Sequence, residues 1–179
     1  KTQRELQGVA CIELEDHVPD KQQIIKSRSF GKPVTELAVL QDALSAFTAT
    51  ACENLRAQNG HASLVQVFML TNRFRQDQPQ YNPSMAVPLP MPTNDSLVVN
   101  RWVQHMAELL WRDGYKYKKA GIVLSDITPV SVVQADLLEP VQTSDTNLMR
   151  AIDGLNARFG RGTVKVSTGG MSDGWAMRQ

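Results

Sequence analysis

Histidine, cysteine and aromatic residues are all sparse in this chain, and each shortage removes a class of function. The three histidines, His17, His61 and His105, lie far apart and have no carboxylate at a spacing that would orient them. Neither a metal site nor a general base is therefore legible. The two cysteines, Cys11 and Cys52, belong to no CxxC pattern, and they read as reduced thiols of a cytosolic protein rather than a disulfide. Aromatic residues make up 6% of the chain, too few for a platform that stacks single-stranded bases. No apolar run approaches the ~18 residues that cross a bilayer, and nothing has the make-up of a signal peptide. An excess of one charge is missing too: the net charge is +1, which gives no general attraction to nucleic acid. Serines form no triad pattern, and Gly160-Arg161-Gly162 lacks the lysine of a phosphate loop and follows a helix, so it reads as a left-handed helix stop.

What is present is a core. Hydrophobic residues are 42% of 179, enough for one core with a small appendage. Residues 1–20 fade into an acidic stretch and read as the remnant of a preceding domain with a linker. Residues 22–30 carry Ile24, Ile25 and Phe30 among polar neighbours, a strand closed by Gly31-Lys32-Pro33. Leu37, Leu40, Leu44, Phe47, Ala51 and Leu55 recur at helical steps, with Thr35 as cap and Asn59-Gly60 as stop. Residues 63–71 (SLVQVFMLT) predict a buried strand and 72–82 a polar loop. Residues 84–89 predict a short strand interrupted by Pro88, hence at an edge.

The pattern then repeats. Thr93 to Ser96 offer caps, and Val99, Trp102, Val103, Met106, Leu109 and Leu110 line one face of a helix reaching to Gly114. Residues 115–127 follow as a strand. The expected fold class is α+β: a duplicated strand–helix–strand giving a four-stranded sheet with both helices on one face, over residues 21–128. The other face stays open. Residues 129–143 have no periodicity and read as a tether. Residues 144–179 form a small C-terminal helix–strand module, with Ser144 as cap, Leu148, Ile152, Leu155 and Phe159 inward, and a strand at 163–167.

Local charge is more informative than net charge. Residues 21–35 hold Lys21, Lys26, Arg28 and Lys32 without an acid, and residues 112–119 hold Arg112, Lys116, Lys118 and Lys119 against Asp113 alone. Solvated strand ends explain this pattern by itself.

Four ordered segments add to it: RELQG at 4–8, KQQIIKSRSFGKPV at 21–34, YKYKKAGIVLSD at 115–126 and LNARFGRGT at 155–163. Through them the chain resembles the C-terminal part of UmuC-type, Y-family translesion DNA polymerases, chromosomal and plasmid-borne. The resemblance implies a little-finger domain whose sheet grips duplex primer–template DNA, in error-prone synthesis during SOS mutagenesis. It implies phosphate contacts from Lys26, Arg28, Lys32, Arg73, Arg75, Lys118 and Lys119. The catalytic carboxylates and their Mg²⁺ belong to the family's palm, so no catalytic residue, metal site or cofactor is expected here. Gln134-Ala135-Asp136-Leu137-Leu138 is similar to the pentapeptide that docks in the groove of the bacterial sliding clamp. Gln134 would orient the strand, Asp136 matches the position of Ser or Asp, and Leu137 and Leu138 would fill the pocket; Ala135 stands where Leu is common. A UmuD-type accessory protein and RecA are further partners the family implies, in the bacterial cytoplasm at the nucleoid. The alternative is a protein-interaction module whose open face docks a subunit without touching DNA. The make-up of that face, basic or apolar, separates the two.

Overall fold

The computed structural model describes residues 6–8, 21–130, 146–160 and 162–164. Its elements are β1 (Ile24–Val34), α1 (Leu37–Ala57), β2 (Gly60–Thr71), β3 (Ser84–Thr93), α2 (Ser96–Leu110), β4 (Tyr117–Pro129) and α3 (Thr146–Phe159). The strands form one sheet in the order β1-β4-β2-β3, with every neighbouring pair antiparallel. Each helical crossover jumps one strand, so the two strand–helix–strand units interleave. The α+β architecture expected from the repeated pattern is the one observed.

Alternation along the two central strands explains why both helices lie on one side. Val65, Val67 and Met69 of β2 pair with Leu124, Ile122 and Ala120 of β4, and all six are 0% exposed. Paired residues in an antiparallel ladder project to the same face. Leu40, Leu44 and Leu55 of α1, with Val99 and Val103 of α2, close over that face and are also fully buried. Each such leucine contributes about 1.5–3 kcal/mol relative to exposure.

Several local expectations need correction. Strand β1 does not stop at Gly31-Lys32-Pro33 but runs through them to Val34. It absorbs them in a register shift between the Ser29–Lys119 and Val34–Tyr117 pairs, so four residues stand opposite Lys118 alone. The N-cap of α1 is Glu36 rather than Thr35, and it makes no side-chain capping bond. Asp95 caps α2 by accepting from Leu97 N–H at 2.7 Å, and that helix ends at Leu110, short of Gly114. Leu109, expected inward, is 59% exposed. Strand β3 is an edge strand as expected, but it continues past Pro88 to Thr93.

The C-terminal helix is oriented differently from its apolar pattern. Met149 is its buried residue, whereas Leu148, Leu155 and Phe159 are exposed. Thr163 and Val164 do not open a strand. They lie in a bend in which Asn156 Oδ1 accepts from Val164 N–H at 2.9 Å and Asn156 Nδ2 donates to Val164 C=O at 3.1 Å. Gly160 (φ 105°) and Gly162 (φ 79°) supply the left-handed stop. Residue 144 and the remainder of the expected 163–167 strand lie outside the described residues.

Candidate nucleic-acid interface

The register assigns side chains to faces. Opposite the helices, β1 presents Ile25, Ser27 and Ser29, β4 presents Lys119, Gly121, Val123 and Ser125, and β2 presents Leu64, Gln66, Phe68 and Leu70. From β3, Ser84, Ala86 and Pro88 join them. None of these positions is acidic, and one is a cation. Ile25 is the most exposed of the large apolar residues in this set, at 57%. At its centre the face is nearly flush: a Cβ on Gly121 would lie 2.4 Å from Ser27 Cβ, 2.6 Å from Phe68 Cζ and 2.8 Å from Lys26 O.

Lys26 and Arg28 fall on the other side. They pair with Ile122 and Ala120, both core residues, so their side chains leave the edge strand on the helix-covered side.

Most of the remaining cations gather at one end of the sheet, where β1 and β2 finish and β4 begins. Lys32 is exposed in the β1 shift. Lys118 is occupied by that shift, its Nζ donating to Phe30 C=O and, at 3.5 Å, to Gly31 C=O. Lys119, on the open face, is half-buried. In the loop after β2, Arg75 forks onto Asp77 at 2.9 and 2.8 Å, which holds the Asp77 carboxyl down at about 2. Arg73 lies over the Phe74 ring, 4.9 Å from its centroid. At the end of the loop the Tyr81 ring lies 5.0 Å from the Tyr115 ring, and the Arg112 guanidinium lies over Tyr81 at 4.5 Å. Trp111 packs on Tyr117 at 4.9 Å. The predicted residues thus fall into four places: Lys119 on the face, Lys32, Arg73, Arg75 and Lys118 around the end, Lys26 and Arg28 along the edge, and the segment 134–138, which lies outside the described residues.

Sequence reasoning missed Arg56. From the last turn of α1 it donates Nε and Nη2 to Asp153 of α3 at 2.6 and 2.7 Å, and Nη1 to Asn94 C=O at 2.6 Å and Ser96 Oγ at 3.0 Å. Burial works against its charge, but the Asp153 carboxylate outweighs burial and the guanidinium pKa ends above its ordinary value. Beside it, burial pushes the Cys52 thiol up to about 12. Nothing local marks Arg56, because its partner is 97 residues away. Gly121 did carry a local signal, as a lone glycine inside a strand pattern.

Among the described residues no helix is long and apolar enough to cross a membrane. With the sheet and its register in place, comparison with known proteins identifies the class: the impB/mucB/samB family C-terminal domain matches residues 21–137, and the chain belongs to that family. A domain of unknown function, DUF4113, matches residues 146–179. UmuC of Salmonella typhimurium is 37% identical over 181 aligned residues, which cover 100% of this chain and 43% of that protein. ImpB of Salmonella typhimurium and MucB of Escherichia coli are each 35% identical, over 42% of their lengths. The chain is thus similar to UmuC-type members of the Y family of polymerases over their C-terminal part, spanning less than half of these relatives. Among solved structures, a Dbh DNA polymerase insertion ternary complex covers 60% of this chain and 29% of its own at 12% identity and a TM-score of 0.47. A complex of the beta-clamp processivity factor with the little finger domain of PolIV covers 67% and 98% at 10% identity and a TM-score of 0.37.

Proposed function

We propose that this chain is the DNA-gripping and clamp-tethering part of an error-prone translesion polymerase. On this reading it divides into a remnant at 1–20, a little finger at 21–128, a tether at 129–143 and a C-terminal module at 144–179. The observation that carries it is the open sheet face, acid-free at every paired position and with cations collected at one end. Such a face lies along a duplex without electrostatic opposition. Its hydroxyl, amide and apolar groups tolerate any sequence, which a polymerase copying damaged templates requires. Lys119 contacts phosphate from the face, Lys32, Arg73 and Arg75 from the end, and Lys26 and Arg28 from the edge. Lys118 holds the β1 shift in place. Gln134, Asp136, Leu137 and Leu138 dock on the sliding clamp and raise the local concentration of DNA. Polymerisation, its Mg²⁺ and its carboxylates belong to the palm, and this part makes no bonds itself. We place its work in the bacterial cytoplasm at the nucleoid, under SOS control, with a UmuD-type protein and RecA as partners.

A second reading is favoured by one observation. Ile25, Val123, Phe68 and Leu70 make the same face partly apolar, which suits docking of an accessory subunit. Titration of the chain with two unrelated duplexes at two salt concentrations separates the readings. Equal, salt-sensitive binding to both duplexes supports the first, and absence of binding at low salt leaves the second.

A further inference from the structure

We propose that the corner made by the last turn of α1 and the first turn of α2 is a preorganised receptor for an amphipathic helix bearing a carboxylate, and that α3 of this chain is its occupant. The C-terminal segment is then an intramolecular ligand of the sheet domain, an assignment that goes beyond DNA or clamp binding. The argument starts from Arg56. Its Nη1 is held by Asn94 C=O and Ser96 Oγ, both from the sheet domain, so the guanidinium plane is set without α3. The edge left over, Nε and Nη2, is the one that matches a carboxylate in two parallel bonds, and Asp153 fills it with both oxygens. Arg56 is 13% exposed and Asp153 28%, so water compensates only part of a lost partner.

The orientation of α3 indicates that this fork selects the docked side. Leu148, Leu155 and Phe159 stay exposed while Met149, one turn before Asp153, is 2% exposed. A helix placed by apolar area alone would have turned the other three inward. The site is also separable: no residue of α3 belongs to the main hydrophobic core. It lies where α1 ends and α2 begins, at the end of the sheet away from the cations, so α3 can leave without disturbing the open face.

The test uses the full chain with Asp153→Lys, which reverses the charge facing Arg56. Amide exchange in α3 and oxidation of Met149 should both quicken by about ten-fold or more, the scale of losing a partly buried, hydrogen-bonded charge pair, with β2 and β4 unchanged. A labelled peptide of residues 146–164 should bind this variant more tightly than the wild-type chain, whose corner is already filled. The same peptide with Asp153→Lys should not bind. Unchanged protection of α3 in the variant would overturn the proposal, as would equal binding of the two peptides. Faster exchange spreading into β2 and β4 would also overturn it, because α3 would then be part of the core.

Discussion

The Phe68 ring lies against Gly121 on the neighbouring strand, its Cζ 2.6 Å from where a Cβ on that glycine would stand. Phe68 and Gly121 are paired residues of β2 and β4, so the aromatic ring takes the volume the glycine leaves free. Phe68 can swing outward, but Ser27 Cβ and Lys26 O belong to the adjacent strand and cannot. Gly121→Ala should therefore destabilise the domain by about 1–3 kcal/mol, the range for overpacking a close-packed site. A melting curve checks it, and an unchanged midpoint would contradict the close approach of β1 and β4.

Lys118 and Lys119, adjacent in sequence, should separate cleanly by experiment. Lys118→Ala strips the bulged carbonyls of Phe30 and Gly31 of their donor and should cost about 1 kcal/mol of stability. Lys119→Ala should leave the melting curve in place and reduce the salt slope of duplex binding by about one unit. Melting and titration on both variants measure the four numbers. A fall in stability for Lys119→Ala with none for Lys118→Ala would reverse the assignment.

The pH dependence follows from Cys52. Burial raises its pKa from 9.0 to about 12 in the folded chain. The native state therefore keeps the thiol proton where the unfolded chain has released it, so the native state binds more protons between these values. Stability from this group is intact below pH 9 and falls as pH rises toward 12. Denaturant unfolding at pH 8 and pH 10.5 should show that fall, and Cys52→Ala should reduce it. At pH 8, peptide-resolved labelling with a thiol reagent should modify Cys52 only as fast as the core opens.

For the proposed clamp contact, Leu137→Ala with Leu138→Ala should weaken binding to a purified sliding clamp by at least about ten-fold. Duplex affinity and melting temperature should stay where they are. A large drop in melting temperature would mean that these leucines serve the fold instead.

The fold was legible where signals are local. The steps of three and four in α1 and α2, and the apolar runs of β2 and β4, are set by neighbours along the chain, and they placed each element to within a few residues. The face carrying Lys26 and Arg28 was not legible. Alternation fixes which residues share a side, but Ile24 and Ile25 are both apolar, so the period in β1 can be read either way. Only pairing with Ile122 and Ala120 decides. Gly31 and Pro33 read as a strand end because both break ladders, yet a wide register shift accommodates them. In α3 the apolar pattern pointed to Leu148, Ile152, Leu155 and Phe159; Ile152 is half-buried, but the other three are exposed and Met149 is buried instead, on the side where Asp153 meets an arginine from a distant helix. Of the candidate site, the concentration of cations at the β4 start was readable; their sorting into bound and available ones depends on tertiary contacts.

Strand β3 carries Pro88, Pro90 and Pro92 at every second position. A register shift between the Leu64–Pro88 and Ala62–Thr93 pairs holds Pro90 and Pro92, and none of the three prolines offers an N–H to a ladder. β3 is the outer rim of the sheet, with β2 on its inner side. An incoming strand would find acceptors without matching N–H groups, and growth of the sheet by addition at this rim is chemically starved. Copies of this domain that meet at the β3 edge therefore find few donors there to pair with.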